Sequence, residues 1–481
     1  MAAISPSGAI HYNPRMIGTD NARVFDLAII GGGAAGVLTA IQALHHAGRP
    51  LRIALLEPQP PLARGVAYAT RYPEHLLNVP AGRMSGLVDA PDDFLDYLCA
   101  QQAYPQLDRD TLARSYVARA HYADYLQARL RQAQADSAAQ LEVVEDRVVA
   151  LEASADGLRL TLQQGGALWV RAATLAAGNA LRPLPARGAG ALSPRQRVEA
   201  WDFDAVQAID AEAAVCIVGS GLSMADSVVS LAGRRHRGTL HVISRHALLP
   251  LPHAEGPAAD FDPQPLLAMD LRQRVRAMRV HAAQAQARGI PWQSVMDRIR
   301  PLVQALWQSL SCADQRRFLR HVVRYWDVHR HRIAEPVHAQ LRQLQESGQL
   351  RLHRGRLETV FAEGACVQVA ALDAQRRPLQ LEVQCVINAT GVEMRAQAMR
   401  NPLLQQMLGR GHARPGPHGI GIDTDADGRL VDAGGRAEPR LQVVGSLRIG
   451  RLWESLAIPE LRVQARDAAL RMLQQVPAGA D

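Results

Sequence analysis

The chain has 481 residues, 54 basic against 46 acidic, and a formal net charge of +8 with neutral histidines. All of its basic residues are arginine, so neither a Schiff-base lysine nor a lysine general base is available. The cysteines, Cys99, Cys216, Cys312, Cys366 and Cys385, form no C-x-x-C pair, which excludes that form of redox disulfide and a cysteine zinc site.

The length exceeds what one hydrophobic core supports, so two or three domains are expected. Arginines are dispersed rather than gathered in a tail, and nucleic-acid binding is not expected. Met1 to Arg23 is polar, with prolines and no hydrophobic signal core. With no apolar run suited to a membrane span, a cytoplasmic location is expected. The Ala/Arg bias is that of a GC-rich, bacterial genome.

Leu27 to Ile30 is a short apolar run of the kind a parallel strand buried on both faces requires. Gly31, Gly33 and Gly36 then fill a G-x-G-x-x-G pattern, and Val37 to Leu44 continue as a helix. The glycines permit a tight turn, a close approach to a pyrophosphate, and close packing of helix on strand. The helix N-terminus, with Ala34 and Ala35 in its first turn, offers N–H groups and a positive dipole end to phosphate. A second strand, Leu51 to Leu56, ends at Glu57, about 20 residues on, where a carboxylate accepts from a ribose 2′-OH. Residues 25–57 therefore read as a site for FAD or NAD.

A Pro/Gly-punctuated connection follows, with Arg64-Gly65 and then His75 to Met84, too long to be ordinary. Pro91 to Cys99 and Thr111 to Gln134 read as helices. Leu141 to Leu151, Leu158 to Gln163 and Leu168 to Ala176 read as a strand meander ending at Ala177-Gly178-Asn179. Pro183 to Arg197 is rich in Pro, Gly and Ser, and a domain boundary is placed near 210.

Val215 to Met224 repeats the opening device, with Gly219 and Gly221 matched and Met224 in place of the third glycine, so a wider helix–strand spacing is expected. Leu222 and Ser223 open its helix. The strand Leu240 to Ser244 then ends at Ser244-Arg245-His246. Arginine where the first unit has an acid accommodates a 2′-phosphate, which makes this second site one for NADP. From 256 to 345 the pattern is helical and basic, densest at Trp326 to Arg332. His329 and His331 lack a carboxylate set beyond Asp327, so no metal site is expected. His329, Arg330 and Arg332 read instead as facing an anionic substrate or the cofactor phosphates. Leu350 to Phe361, Cys366 to Leu372 and Leu379 to Ile387 are strands leading to Asn388-Ala-Thr-Gly391, an echo of residues 177–179. Leu441 to Val444 is a last strand ending at Gly445-Ser446. A final helix starts at Ile458 or Pro459, since proline suits a first turn.

The expected fold is α/β: two Rossmann-like dinucleotide-binding domains with a basic helical insertion. Residues 24–210 form the first part of an FAD domain and 211–255 an NADP unit; 256–345 is an insertion in the latter, and 346–481 return to the FAD domain. This constellation resembles the two-dinucleotide-domain flavoproteins. More closely, Arg64 to Tyr68, His75 to Pro80, Arg83-Met-Ser85, Tyr325 to Arg332, Asn388 to Gly391, Trp453-Glu454 and Pro459 to Arg462 resemble a bacterial FAD/NAD(P)-binding family across residues 25–470. Amino-acid N-hydroxylating monooxygenases are its distant relatives.

The resemblance implies FAD and NADPH as cofactors, a small-molecule substrate and molecular oxygen. It adds Arg64, Gly65, Asn78, Val148, Gly178, Thr390, Gly391, Gly445 and Ser446 to the cofactor-binding set. Asn78, Arg83, Met84 and Trp453 are the candidates to face the flavin. Two departures stand out: the N-hydroxylating enzymes commonly use a lysine near the flavin, and their Gly-Asp is Gly445-Ser446 here. An NADPH-dependent reductase without oxygen insertion and a flavin-binding sensor are the alternatives.

Overall fold

The computed structural model describes residues 23–477; the segment up to residue 22 lies outside them. In chain order the strands are β1 (Arg23–Ile30), β2 (Arg52–Leu56), β3 (Gln140–Val144), β4 (Val148–Ala153), β5 (Leu158–Leu162), β6 (Ala167–Leu175), β7 (Ala180–Leu181), β8 (Arg197–Glu199), β9 (Val215–Val218) and β10 (Leu240–Ser244). Then come β11 (Leu350–Glu363), β12 (Cys366–Asp373), β13 (Pro378–Val383), β14 (Cys385–Asn388), β15 (Val392–Glu393), β16 (Arg429–Val431) and β17 (Ala437–Val443). No described helix is long and apolar enough to cross a membrane.

Two sheets organise the chain, and the two-dinucleotide-domain α/β architecture expected from the sequence is the one observed. The first has the order β16-β17-β6-β1-β2-β3, with β4 and β5 extending it as an antiparallel meander. The second has the order β13-β12-β11-β10-β9-β14-β8. In each, the strand before the glycine turn lies centrally and pairs in parallel on both sides: β1 with β2 and β6, β9 with β10 and β14. Burial on both faces is why these strands read as unbroken apolar runs. The helix Ala34–His46 packs in the apolar layer over one face of the first sheet, with Arg119–Asp136 and Ile458–Gln474.

Several sequence expectations are corrected. Residues 350–388, assigned above to the returning first domain, belong to the second sheet, as does β8, placed before the boundary near 210. The chain enters the second unit at β7 and leaves it at β15, and these two strands pair with each other. The run 141–151 is two strands, not one. It breaks where the Asp146 carboxylate accepts from the N–H groups of Arg147 and Gln164, so β3 joins β2 in parallel and only β4 enters the meander. The run 379–387 likewise divides into β13 and β14. The helix expected over 111–134 is Arg109–Arg114 and Arg119–Asp136, parted where Leu77 and Arg119 exchange backbone bonds with Val117 and His75. The last helix begins at Ile458 with Pro459 in its first turn, as the sequence indicates.

Met224 is fully buried in the second core with Ile217 and Val228.

The two units are joined through a largely buried ion pair, its two side chains 16% and 15% exposed. Arg119 Nη1 and Nη2 donate to Asp226 Oδ2 and Oδ1 at 2.7 and 3.0 Å, while Arg119 Nε donates to Leu76 O. Beside it, fully buried His75 bonds Thr70 Oγ1 at 2.6 Å and Ser230 Oγ at 2.7 Å. Burial holds the His75 imidazole below its ordinary value. Removing one partner of such a pair leaves an uncompensated charge. Asp226→Ala is therefore expected to cost about 3 kcal/mol in urea unfolding, and the double change Arg119→Met with Asp226→Leu distinctly less. Equal losses would show that the pair does not tie the units.

Candidate functional site

The backbone of each glycine turn is pressed against the turn that ends the neighbouring parallel strand. Gly31 has φ +114°, and a Cβ there would run into Ala176 O. Gly219 has φ +110°, and a Cβ there would run into Ala389 O. Ala177-Gly178 and Thr390-Gly391 are thus equivalent positions in the two units, with Gly178 at φ +71° and Gly391 at φ +83°. Both turns sit at the carboxyl ends of the strands, where the strand order reverses, and such switch points are where ligands bind in open α/β sheets.

The helices that follow, Ala34–His46 and Leu222–Gly233, are capped by Gly33 and Gly221. Neither has a side-chain cap bond or an acid in its first turn. Their first N–H groups and positive dipole ends are left for an anion. Gly36 is there for packing, since a Cβ would collide with Gly31 O. Gly33 has ordinary φ of −70°, and a Cβ there would meet only Gly65 Cα, at 3.7 Å. Its smallness therefore serves the open gap between residues 33 and 65 rather than the fold.

Around the first turn the expected residues converge. Glu57 Oε2 accepts from Gly32 N at 2.8 Å and Oε1 from Gln59 N at 3.0 Å, and the carboxylate retains further lone pairs. Ser446 Oγ donates to Gly178 O at 2.7 Å. A Cβ on Gly445 would lie 3.5 Å from Ala35 Cβ. Arg64 pairs with Asp124 at 2.6 Å. Val148 is buried in β4, in the core behind this sheet.

At the second turn Ser220 Oγ donates to Ser244 Oγ at 2.9 Å, joining the turn to the end of β10, and Trp201 Nε1 donates to Ser223 Oγ at 3.2 Å. Arg245 is exposed beyond Ser244. Partial burial, then repulsion from Arg324 and Arg356, lowers its guanidinium from its usual value. Arg182 is lowered chiefly by burial; Glu393 opposes the shift, and Arg324, Arg395 and Arg245 add to it. This arginine cluster draws on β11, the insertion and the 182 crossover. In the sequence its members are lost among many dispersed arginines, and only Arg245 carries a positional signal.

Other candidates are not free. Arg330 is paired with Glu454 at 2.8 Å, both side chains about nine-tenths buried, and Trp326 Nε1 donates to the same carboxylate at 2.7 Å. Arg332 is buried against Asp297. His329 bonds Tyr325 O and packs on Trp292. Trp453 stacks on Trp307, centroids 5.0 Å apart, and is edge-on to Phe318. Arg330, Trp326 and Trp453 thus dock the insertion onto the loop before the last helix, while Arg332 and His329 make their contacts within the insertion. Met84 lies in the first core. Asn78 O accepts from His253 Nε2 at 3.0 Å. Arg83 is exposed and acts on Tyr116, whose hydroxyl burial pushes up to about 12. Among the described residues no cluster of three or more His, Cys, Asp or Glu could hold a metal.

Residues 28–180 match the family model described as FAD-NAD(P)-binding. No curated protein sequence matches the chain. Among solved structures, the reduced form of ornithine hydroxylase from Pseudomonas aeruginosa is 18% identical with a TM-score of 0.65, covering 94% of this chain and 100% of its own. L-lysine 6-monooxygenase from Pseudomonas syringae is 19% identical with a TM-score of 0.65, covering 94% and 100%. Ornithine N-hydroxylase of Kutzneria sp. 744, with reduced FAD, NADP+ and L-ornithine, is 15% identical with a TM-score of 0.65, covering 94% and 99%. At these identities the likeness establishes a shared fold.

The two glycines of the first turn separate fold from ligand. Gly33→Val is expected to fold with the parent's secondary structure yet purify without bound dinucleotide. Gly36→Val, which collides with backbone, is expected not to fold. Circular dichroism and the visible spectrum of each purified variant check this; a dinucleotide-loaded Gly33→Val protein would overturn it.

Proposed function

We propose that the chain is an FAD- and NADPH-dependent monooxygenase that hydroxylates a small, amine-bearing, amino-acid-like or anionic metabolite with molecular oxygen. One observation carries the reading: a single chain holds two uncapped helix N-termini at two switch points, the second beside an arginine cluster. The full-length fold match to three amine-hydroxylating flavoenzymes supports the choice of reaction.

In this reading residues 31–36 and their helix hold the FAD pyrophosphate, and the free lone pairs of Glu57 take the ribose hydroxyls. The Gly178, Gly445 and Ser446 backbone would line the path of the cofactor beyond its pyrophosphate. Arg245, with Arg182, Arg324 and Arg356 around it, neutralises the 2′-phosphate of NADPH. FAD, when bound, supplies the chemistry: it takes two electrons from the nicotinamide and makes oxygen reactive. The protein contributes orientation and exclusion of water. Arg83, the one exposed member of the flavin-facing candidates, would take a substrate carboxylate. Thiol chemistry has no support. All five cysteines are free, and burial pushes the Cys216 and Cys385 thiols up to about 12, which leaves them inert.

The test uses the protein as purified. It should be yellow, and NADPH should bleach it without oxygen. In air, ornithine, lysine or cadaverine should raise NADPH consumption and yield a hydroxylamine. A colourless protein ends the reading. Reduction with all electrons recovered in hydrogen peroxide or an organic acceptor, across an amine panel, assigns a reductase instead. Arg245→Ala should weaken NADPH by roughly 10- to 100-fold, the worth of a charge-assisted bond of about 1.5–3 kcal/mol, and leave NADH nearly unchanged. Equal losses would refute the 2′-phosphate role.

A further inference from the structure

A cavity of about 360 Å³ lies on the flank of the last helix, bounded by that helix, the end of β17 and the Arg300–Leu302 turn of the insertion. Its volume is that of a small-metabolite pocket. None of Gly31, Glu57, Gly178 or Gly445 lines it, so it is separate from the first glycine turn.

Its wall contains Arg448, only 7% exposed. The Arg448 guanidinium makes no ion pair and donates no hydrogen bond among the described residues, and its Nε is enclosed without a partner. Burial first, then repulsion from Arg471, pushes it down to about 10. Gln442, 1% exposed in the same wall, also has an unpartnered Nε2. Neighbouring acids are engaged elsewhere: Asp427 with Arg471 at 3.0 Å, and Glu460 Oε1 with Arg300 at 3.4 Å. Asp425 and Asp467 favour the charge only from a distance. An unpaired buried guanidinium is costly, and buried charges are normally paired.

We propose that this cavity is a binding site for a small metabolite carrying a carboxylate or phosphate, its oxyanion paired with Arg448 and hydrogen-bonded by Gln442. A guanidinium fork matches two oxygens of either group. Glu460 Oε2, an enclosed acceptor without a partner in the same wall, accepts from a hydroxyl or ammonium group of that ligand. Gln464 also lines the cavity, accepting from Gly445 N and donating to Ser455 O. Occupancy therefore touches the residue that holds the Gly445 turn. The inference stands independently of the redox reaction.

Thermal unfolding of the purified full chain, titrated at constant ionic strength with sodium phosphate, sodium succinate or sodium chloride, tests it. A saturable rise in Tm is expected with phosphate or succinate and not with chloride, as linkage requires of a ligand that binds only the folded state. The anion that saturates at lower concentration identifies the class. Arg245→Ala should keep the response, which separates this site from the second glycine turn. Arg448→Leu should lose it without a lower Tm. Val463→Glu, which puts a carboxylate on a partly exposed wall position, should lose it too and guards against a misfolded Arg448 variant. No saturable response to either anion, or a response kept in Val463→Glu and any folded Arg448→Leu protein, overturns the proposal.

Discussion

The positive φ of Gly31 and Gly219 is the constraint on which the two units are built. At each, the backbone turns within reach of a carbonyl from the neighbouring strand's end, and no side chain fits. That closeness places the start of the following helix at the carboxyl edge of the sheet and aims its N–H groups along the strand ends. Neighbouring side chains are arranged around this geometry: Glu57 braces the turn through Gly32 N, and Ser446 ties the neighbouring strand's turn through Gly178 O. The second unit keeps the first two glycines and gives up the third. Met224 takes that place inside the core, so the turn survives with a different packing behind it.

The helical insertion belongs to the second unit by sequence and to both units by contact. Glu454 takes Trp326 and Arg330, and Trp453, at φ +53°, inserts its ring against Trp307 and Phe318. A non-glycine residue in that backbone region is costly unless its surroundings hold it, and the stacked rings supply that hold. Together with the Arg119–Asp226 pair and the His75 bonds, the insertion sets the orientation of one glycine turn toward the other. Arginines spent on this docking are unavailable to a substrate. The exposed charge is left around Arg245 instead, where the insertion contributes Arg324.

Local pattern was enough to reveal some of this. The glycine spacings, the carboxylate after β2, the arginine after β10 and the proline in the first turn of the last helix are all defined within a few residues, by backbone sterics and hydrogen bonds that act at short range. Tertiary structure alone decided the rest. β11 to β14 have the same apolar alternation whichever sheet they join, and their membership is set by pairing with β10 and β9. Arg330 and Arg332 look like anion ligands until Glu454 and Asp297 arrive from distant segments, whereas Arg448 looks ordinary until, among the described residues, no partner arrives. A strand's neighbour and a charge's counter-ion are chosen in space, and the free energy of either depends on burial, which no short window of sequence contains.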